Sequence, residues 1–174
     1  MHTLVVFESM YGNTHAIAAA IGEGLRSHGE VRVLAAGEAD AQQIAWADLV
    51  VAGGPTHAHG MSRARSRASA RGRAGAPGSQ LVLDPAAHGP GIREWLDGAT
   101  AGKGKRAAAF DTRADAPTFF TGRASAGIAK RLRRHGFALV DQPESFLIDR
   151  QDRLVAGEVE RARGWGSHLA EVFG

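Results

Sequence analysis

The apolar residues of this 174-residue chain change period repeatedly along its length, and that alternation restricts the fold more than any other feature. Short, continuously apolar runs are what a strand covered on both faces requires. Here they alternate with stretches whose apolar residues recur every three or four positions, as on a helix with one buried stripe. Strands of a parallel sheet joined by helical crossovers produce this pattern, so the expected class is α/β. Residues 3–8 (TLVVFE) form the first apolar run, and Ile17, Ala20, Ile21 and Leu25 then line one face of a helix over 14–27. Residues 30–36 (EVRVLAA) predict a second strand, alternating as an edge strand does. A short helix around 40–44 leads to a third strand over 47–54 (ADLVVAGG). Residues 105–111 (KRAAAFD) predict a fourth and 136–149 a fifth, interrupted near Pro143. Helices are expected over 122–135 and 156–172, the latter burying Val159, Ala162, Trp165, Leu169 and Val172.

Residues 62–104 fit this scheme least. The stretch SRARSRASARGRAGAPGS holds five arginines and no acid, which predicts a helix over 62–70 followed by a flexible Gly/Pro segment, with a second short helix around 92–96. The chain has no cysteine, which removes disulfides, thiol catalysis and cysteine metal sites, so a redox role would need a bound cofactor. With 44% hydrophobic and 22% charged residues and no apolar stretch approaching a membrane span, a soluble single domain over 1–174 is expected. The first residues enter an apolar strand without a basic region or cleavage site, so the expected location is cytoplasmic. The formal net charge is +3 and 18 of the 21 basic residues are arginine, a balance that favours acidic partners.

The first strand delivers the chain into ESMYGNT (8–14), a loop that contains the only asparagine and the only tyrosine. A helix begins directly after it, and the unpaired N–H groups and dipole at a helix start favour an anion. Ser9 and Thr14 add hydroxyls, Gly12 permits a tight turn and Asn13 tolerates left-handed backbone. The same residues could instead merely cap the helix. Other phosphate loops are excluded. No G-x-G-x-x-G follows the first strand. The GATAGKGK stretch (98–105) is one residue short between its glycines and has Gly104 where a P-loop places Ser or Thr. A receiver domain would need acids after the third strand, where Gly53 and Gly54 stand.

Three loops together carry a family resemblance. SMYGNT resembles the FMN phosphate loop of the flavodoxin family, in the form found in the flavodoxin domains of flavodiiron proteins. GGPTHAHG (53–60) resembles the loop that lies beside the flavin ring, and 110–137 is similar in position to the third flavin-contacting loop and its helix, ending at Gly136. Loops after strands one, three and four are where ligands bind in such a sheet. The resemblance implies a doubly wound five-stranded parallel sheet of order 2-1-3-4-5 with helices on both faces. It also implies that Ser9, Met10, Tyr11, Gly12, Asn13 and Thr14 surround the FMN phosphate. Pro55, Thr56, His57, Ala58, His59 and Gly60 would pass beside the ring, and Asp111, Thr112 and Arg113 would approach its pyrimidine edge and ribityl chain. Where flavodoxins commonly sandwich the ring between Trp and Tyr, this chain offers His57 or His59 and Phe119 or Phe120. Tyr11 stands where the family more often has a hydroxyl-bearing Ser or Thr. A metal between His57 and His59 is not expected, because residues two apart in an extended loop point to opposite sides.

Electron-shuttle flavodoxins are acidic, whereas Arg63, Arg65, Arg67, Arg71 and Arg73 follow the second loop here. Positive charge near the ring would make the second one-electron reduction less negative. The resemblance implies an FMN-binding electron-transfer protein without catalytic residues of its own, served by a redox partner protein or by NAD(P)H, with an acidic partner at Arg63–Arg73. One alternative is an FMN-dependent NAD(P)H or quinone reductase. Another, of a different class, is a flavin-free binding module that uses the 63–73 segment. Nucleic acid is the weaker partner for that module, since the segment has no aromatic residue to stack on bases.

Overall fold

The structure is a computed structural model that describes residues 1–99 and 102–173. Its elements run β1 (His2–Phe7), α1 (Asn13–Leu25), β2 (Glu30–Ala35), α2 (Ala41–Trp46), β3 (Leu49–His57), β4 (Gly60–Met61) and α3 (Ala64–Ala74). There follow α4 (Ile92–Gly98), β5 (Arg106–Ala114), α5 (Thr118–Thr121), α6 (Ala124–Arg134), β6 (Ala138–Leu139), β7 (Glu144–Ile148) and α7 (Glu158–Phe173). The chain has an α/β fold with a parallel sheet of order β2-β1-β3-β5, and both β6 and β7 pair with the outer side of β5.

Among the described residues seven strands are present where five were expected, for two reasons. The fifth is split: β6 pairs with the start of β5 and β7 with its end, and between them lies Pro143, which has no N–H to give a ladder. The third runs on through Pro55 to His57 and turns back as β4, antiparallel, with His57 opposite Gly60. The 98–105 stretch contains Thr100 and Ala101, which lie outside the described residues.

The sheet is covered on both faces. Val5 and Phe7 of β1 join Ile17, Ile21, Leu25, Trp165 and Leu169 in one core. Leu4 and Val6 point the other way, against Ile92, Leu96, Ile128 and Leu132. This is why β1 reads as a continuous apolar run. Helices α1 and α7 meet at backbone distance: a Cβ on Gly24 would lie 2.1 Å from the Arg163 carbonyl oxygen, and one on Gly166 2.3 Å from that of Ile21. That contact sets the buried face of α7, where Ala162, Trp165, Gly166, Leu169 and Ala170 are buried, as is Glu158 at its start. The expected stripe is therefore corrected at its ends, with Val159 half-buried and Val172 41% exposed. The arginine-rich helix is longer than expected and continues through Gly72 to Ala74.

Candidate functional site

A cleft of about 400 Å³ opens at the carboxyl ends of β1, β3 and β5. Ser9, Met10, Tyr11, Asn13 and Thr14 line one end, Pro55, Thr56, His57 and Ala58 another side, and Thr112 the floor. Sequence reading missed Ser66, Ser69, Ala70 and Arg73 of α3, together with Ala114, Ile148 and Asp152.

The loop after β1 is built to leave donors free. Gly12 occupies the position before α1 with φ +90°, and no side chain caps the helix. A Cβ on Gly12 would meet nothing within 4 Å, so glycine is demanded by the left-handed backbone and not by space. The residues that could have capped α1 are occupied elsewhere. Asn13 Nδ2 donates to the Asp152 carbonyl at 2.7 Å, and Thr14 Oγ1 pairs with Thr112 Oγ1 at 2.7 Å. Ser9 Oγ accepts from the Gly12 N–H at 3.1 Å, which leaves its own proton available. The Thr14–Thr112 pair likewise uses one of its two hydroxyl protons and retains the other. The reading of this loop as a simple helix cap is thus set aside: the first-turn N–H groups of α1 have no side-chain acceptor.

Tyr11 lines the cleft and is anchored by its hydroxyl. Its hydroxyl donates to the Ala70 carbonyl at 2.8 Å, tying the loop to α3. Burial raises its pKa, Arg73 opposes the shift and Asp152 adds to it. Helix α3 is held over the cleft from its other side by Arg67, which is 6% exposed. Arg67 Nη1 donates to Ser62 Oγ at 3.0 Å and Nη2 pairs with Glu94 at 3.1 Å. Beside this pair Glu8, at the end of β1, accepts from the Ile92 N–H at 2.8 Å, and its pKa is raised chiefly by burial. Arg71 donates to the Ala87 carbonyl and Arg73 to Asp152. Three of the five arginines expected to form an open basic surface are therefore engaged within the molecule.

On the ring side, His57 Nδ1 lies 3.1 Å from Ser66 Oγ, and its pKa is lowered by burial first and then by Arg67 and Arg73. This shift favours the uncharged imidazole at the wall of the cleft. Ala58 and His59 have φ of +44° and +72° and form the two-residue turn between β3 and β4. The loop is thus a tight hairpin turn and not the extended segment expected. His59 is exposed and bridges to Gly122, and neither it nor Gly60 lines the cleft. Among the described residues, no group of three or more His, Cys, Asp or Glu side chains could hold a metal ion.

The third loop departs most from expectation. Asp111 is fully buried and accepts from the Ser125 N–H at 2.7 Å, while Thr56 Oγ1 accepts from the Ala124 N–H at 2.8 Å. Helix α6 has no N-cap of its own and is capped by these two strand-end residues, so Asp111 is removed from the cleft. Arg113 folds back to donate to the Ala114 and Ala116 carbonyls. Phe119 and Phe120 lie outside the cleft, 75% and 65% exposed, with ring centroids 4.0 Å apart. On this single-turn helix the two rings cover each other and not the cleft.

Comparison with known proteins agrees with this layout. The flavodoxin family model matches residues 5–73, which contain the first two loops and α3. The fold is flavodoxin-like. A flavodoxin from the domain Archaea superposes with a TM-score of 0.65 at 20% identity, covering 99% of each chain. Oxidised flavodoxin 2 from Bacillus cereus gives 0.67 at 21% identity, over 98% of this chain and 99% of the other. The flavodiiron protein from Giardia intestinalis gives 0.64 at 22% identity, where 99% of this flavodoxin-like chain matches 36% of that larger one. No curated protein sequence matches the chain. At these identities the structures establish the flavodoxin-like fold. No helix among the described residues is long and apolar enough to cross a membrane.

Proposed function

We propose that the cleft binds FMN and that the protein is an electron carrier of the flavodoxin type. The observation that carries this reading is the start of α1: a helix N-terminus with no side-chain cap, a glycine at φ +90°, and hydroxyls of Ser9, Thr14 and Thr112 grouped at one end of the cleft. That donor set suits a phosphate and supplies it with N–H and O–H groups. Its neighbours suit the rest of the ligand. Pro55, His57 and Ala58 offer an uncharged wall for a flat ring, and Ser66 and Ser69 offer hydroxyls along the middle.

FMN, when bound, supplies one- and two-electron chemistry that no residue of this cysteine-free chain provides. The chain's own contribution is placement. Ser9, Gly12 and Thr14 would hold the phosphate, and His57, whose lowered pKa favours the uncharged imidazole, would border the ring. Thr56 and Asp111 fix the wall of the site by capping α6. The binding-module alternative draws less support, because Arg67 and Arg71 are committed to internal partners and Arg73 lines the cleft paired with Asp152, so the basic surface outside the cleft reduces to Arg63 and Arg65. These two residues remain the docking point for an acidic redox partner in this reading.

The test is the visible spectrum of freshly purified protein, followed by stripping and reconstitution. A flavin spectrum restored by FMN supports the proposal, and mixing with NAD(P)H alone then separates a carrier from a reductase by whether the colour bleaches. Colourless protein that leaves FMN fluorescence unquenched would refute it.

A further inference from the structure

Helix α3 crosses the cleft with one polar face. Ser66, Ser69, Ala70 and Arg73 stand at i, i+3, i+4 and i+7, all four lining it. Ser66 meets His57 at the ring-side loop, and Arg73 lies seven residues further on, about 10 Å along the helix, beside the loop that starts α1. There Arg73 Nη2 donates to Asp152 Oδ2 at 2.8 Å, and its guanidinium carbon lies 5.9 Å from the centre of the Tyr11 ring. Asp152 is the link between the two sides: its carbonyl accepts from Asn13 Nδ2 of the first loop, while its carboxylate holds the arginine of α3. It does so at φ +57°, a left-handed conformation for a residue other than glycine. The end of the cleft suited to an anion therefore already contains one carboxylate and one guanidinium, bound to each other.

Resting on the FMN reading, we infer that Arg73 is the phosphate-selective cation of this site and that Asp152 is its holding partner in the free protein. A guanidinium prefers the paired oxygens of a phosphate to one carboxylate oxygen at an exposed position. The Arg73 side chain is 59% exposed and that of Asp152 23%, so the arginine has room to exchange partners while Asp152 stays at the wall. A phosphate entering at α1 meets the Asp152 charge as a repulsion and the Arg73 charge as an attraction. The arginine thereby ties affinity to the phosphate group, and the aspartate limits that affinity.

The experiment is a fluorescence titration of stripped wild type, Arg73→Gln, Arg73→Lys and Asp152→Asn with FMN and, separately, with riboflavin, which has the ring and ribityl chain but no phosphate. Far-UV circular dichroism confirms that each variant is folded. Arg73→Gln is expected to weaken FMN binding about tenfold and leave riboflavin binding unchanged, with Arg73→Lys restoring only part of the loss. Asp152→Asn is expected to tighten FMN binding several-fold without affecting riboflavin. Wild-type FMN affinity in Arg73→Gln, or equal losses for both flavins, overturns the assignment of Arg73 while leaving the cofactor reading intact. Wild-type protein that binds neither flavin overturns both.

Discussion

Replacing Thr112 with valine removes one hydroxyl from the floor of the cleft and keeps the side-chain shape. Thr112 is 3% exposed and its side chain pairs with that of Thr14, itself 2% exposed, at 2.7 Å. A hydrogen bond of this kind contributes about 1 kcal/mol net, and leaving its buried partner unsatisfied costs about 1–3 kcal/mol more. Thr112→Val should therefore lose about 2 kcal/mol of stability, as should Thr14→Val. The double variant leaves no orphaned hydroxyl, and replacing both partners by apolar groups is close to neutral. It should lose no more than about 1 kcal/mol, a coupling of about 3 kcal/mol between the sites. Urea denaturation of the four proteins measures this directly, and each single variant should melt about 4–8 °C lower in a chain of this size. Additive losses would mean that the two hydroxyls find other partners and that the start of α1 is not tied to β5.

Other substitutions probe the frame around the site. Gly53→Ala would place a Cβ 2.2 Å from the Phe110 ring, which is fully buried and set edge-on to Phe146 and Trp165, so a loss of about 1–3 kcal/mol is expected in chemical denaturation. Stability should also depend on pH through His57 and Glu8, with opposite signs. His57 has a lowered folded pKa, so the unfolded chain binds more protons just below the ordinary value of 6.5, and stability falls as pH drops through that window. His57→Gln should flatten that slope, which is at most about 1.4 kcal/mol per pH unit for one proton. Glu8 has a raised folded pKa, so its contribution is full below 4.5 and is lost as pH rises through the folded value. Glu8→Gln should remove that decline, as read from denaturation midpoints between pH 4 and 8.

The alternation of apolar periods was enough to place α1, α6, α7 and the strands β1, β2, β3 and β5, because a strand covered on both faces and a helix with one buried stripe leave distinct patterns, whereas the one-turn α5 left none. Two sites of the cleft were also legible. Ser9 to Thr14 and Pro55 to Ala58 are contiguous loop residues, and all of them but Gly12 line the cleft. What stayed hidden depends on tertiary contacts. Asp111 has the look of a site residue, but the N-terminus of α6 takes its carboxylate. Phe119 and Phe120 have the right chemistry for stacking on a ring, yet their one-turn helix points them outward. The α3 residues carry a signal that could have been found: Ser66, Ser69, Ala70 and Arg73 repeat with helical spacing inside a segment whose five arginines drew attention to its charge. Asp152 carries no such signal, since it reaches the first loop across 139 residues of sequence through a backbone carbonyl.

In the proposed function the loop after β1 is a phosphate cradle, and one titration tests that role most directly. Stripped wild type and the Ser9→Ala/Thr14→Ala double variant would be titrated with FMN while flavin fluorescence is followed. Two hydrogen bonds to a charged group are lost in the variant, at about 1–3 kcal/mol each, so its affinity should fall at least about 30-fold. Equal affinity in the two proteins would contradict the account and reduce ESMYGNT to the start of a helix.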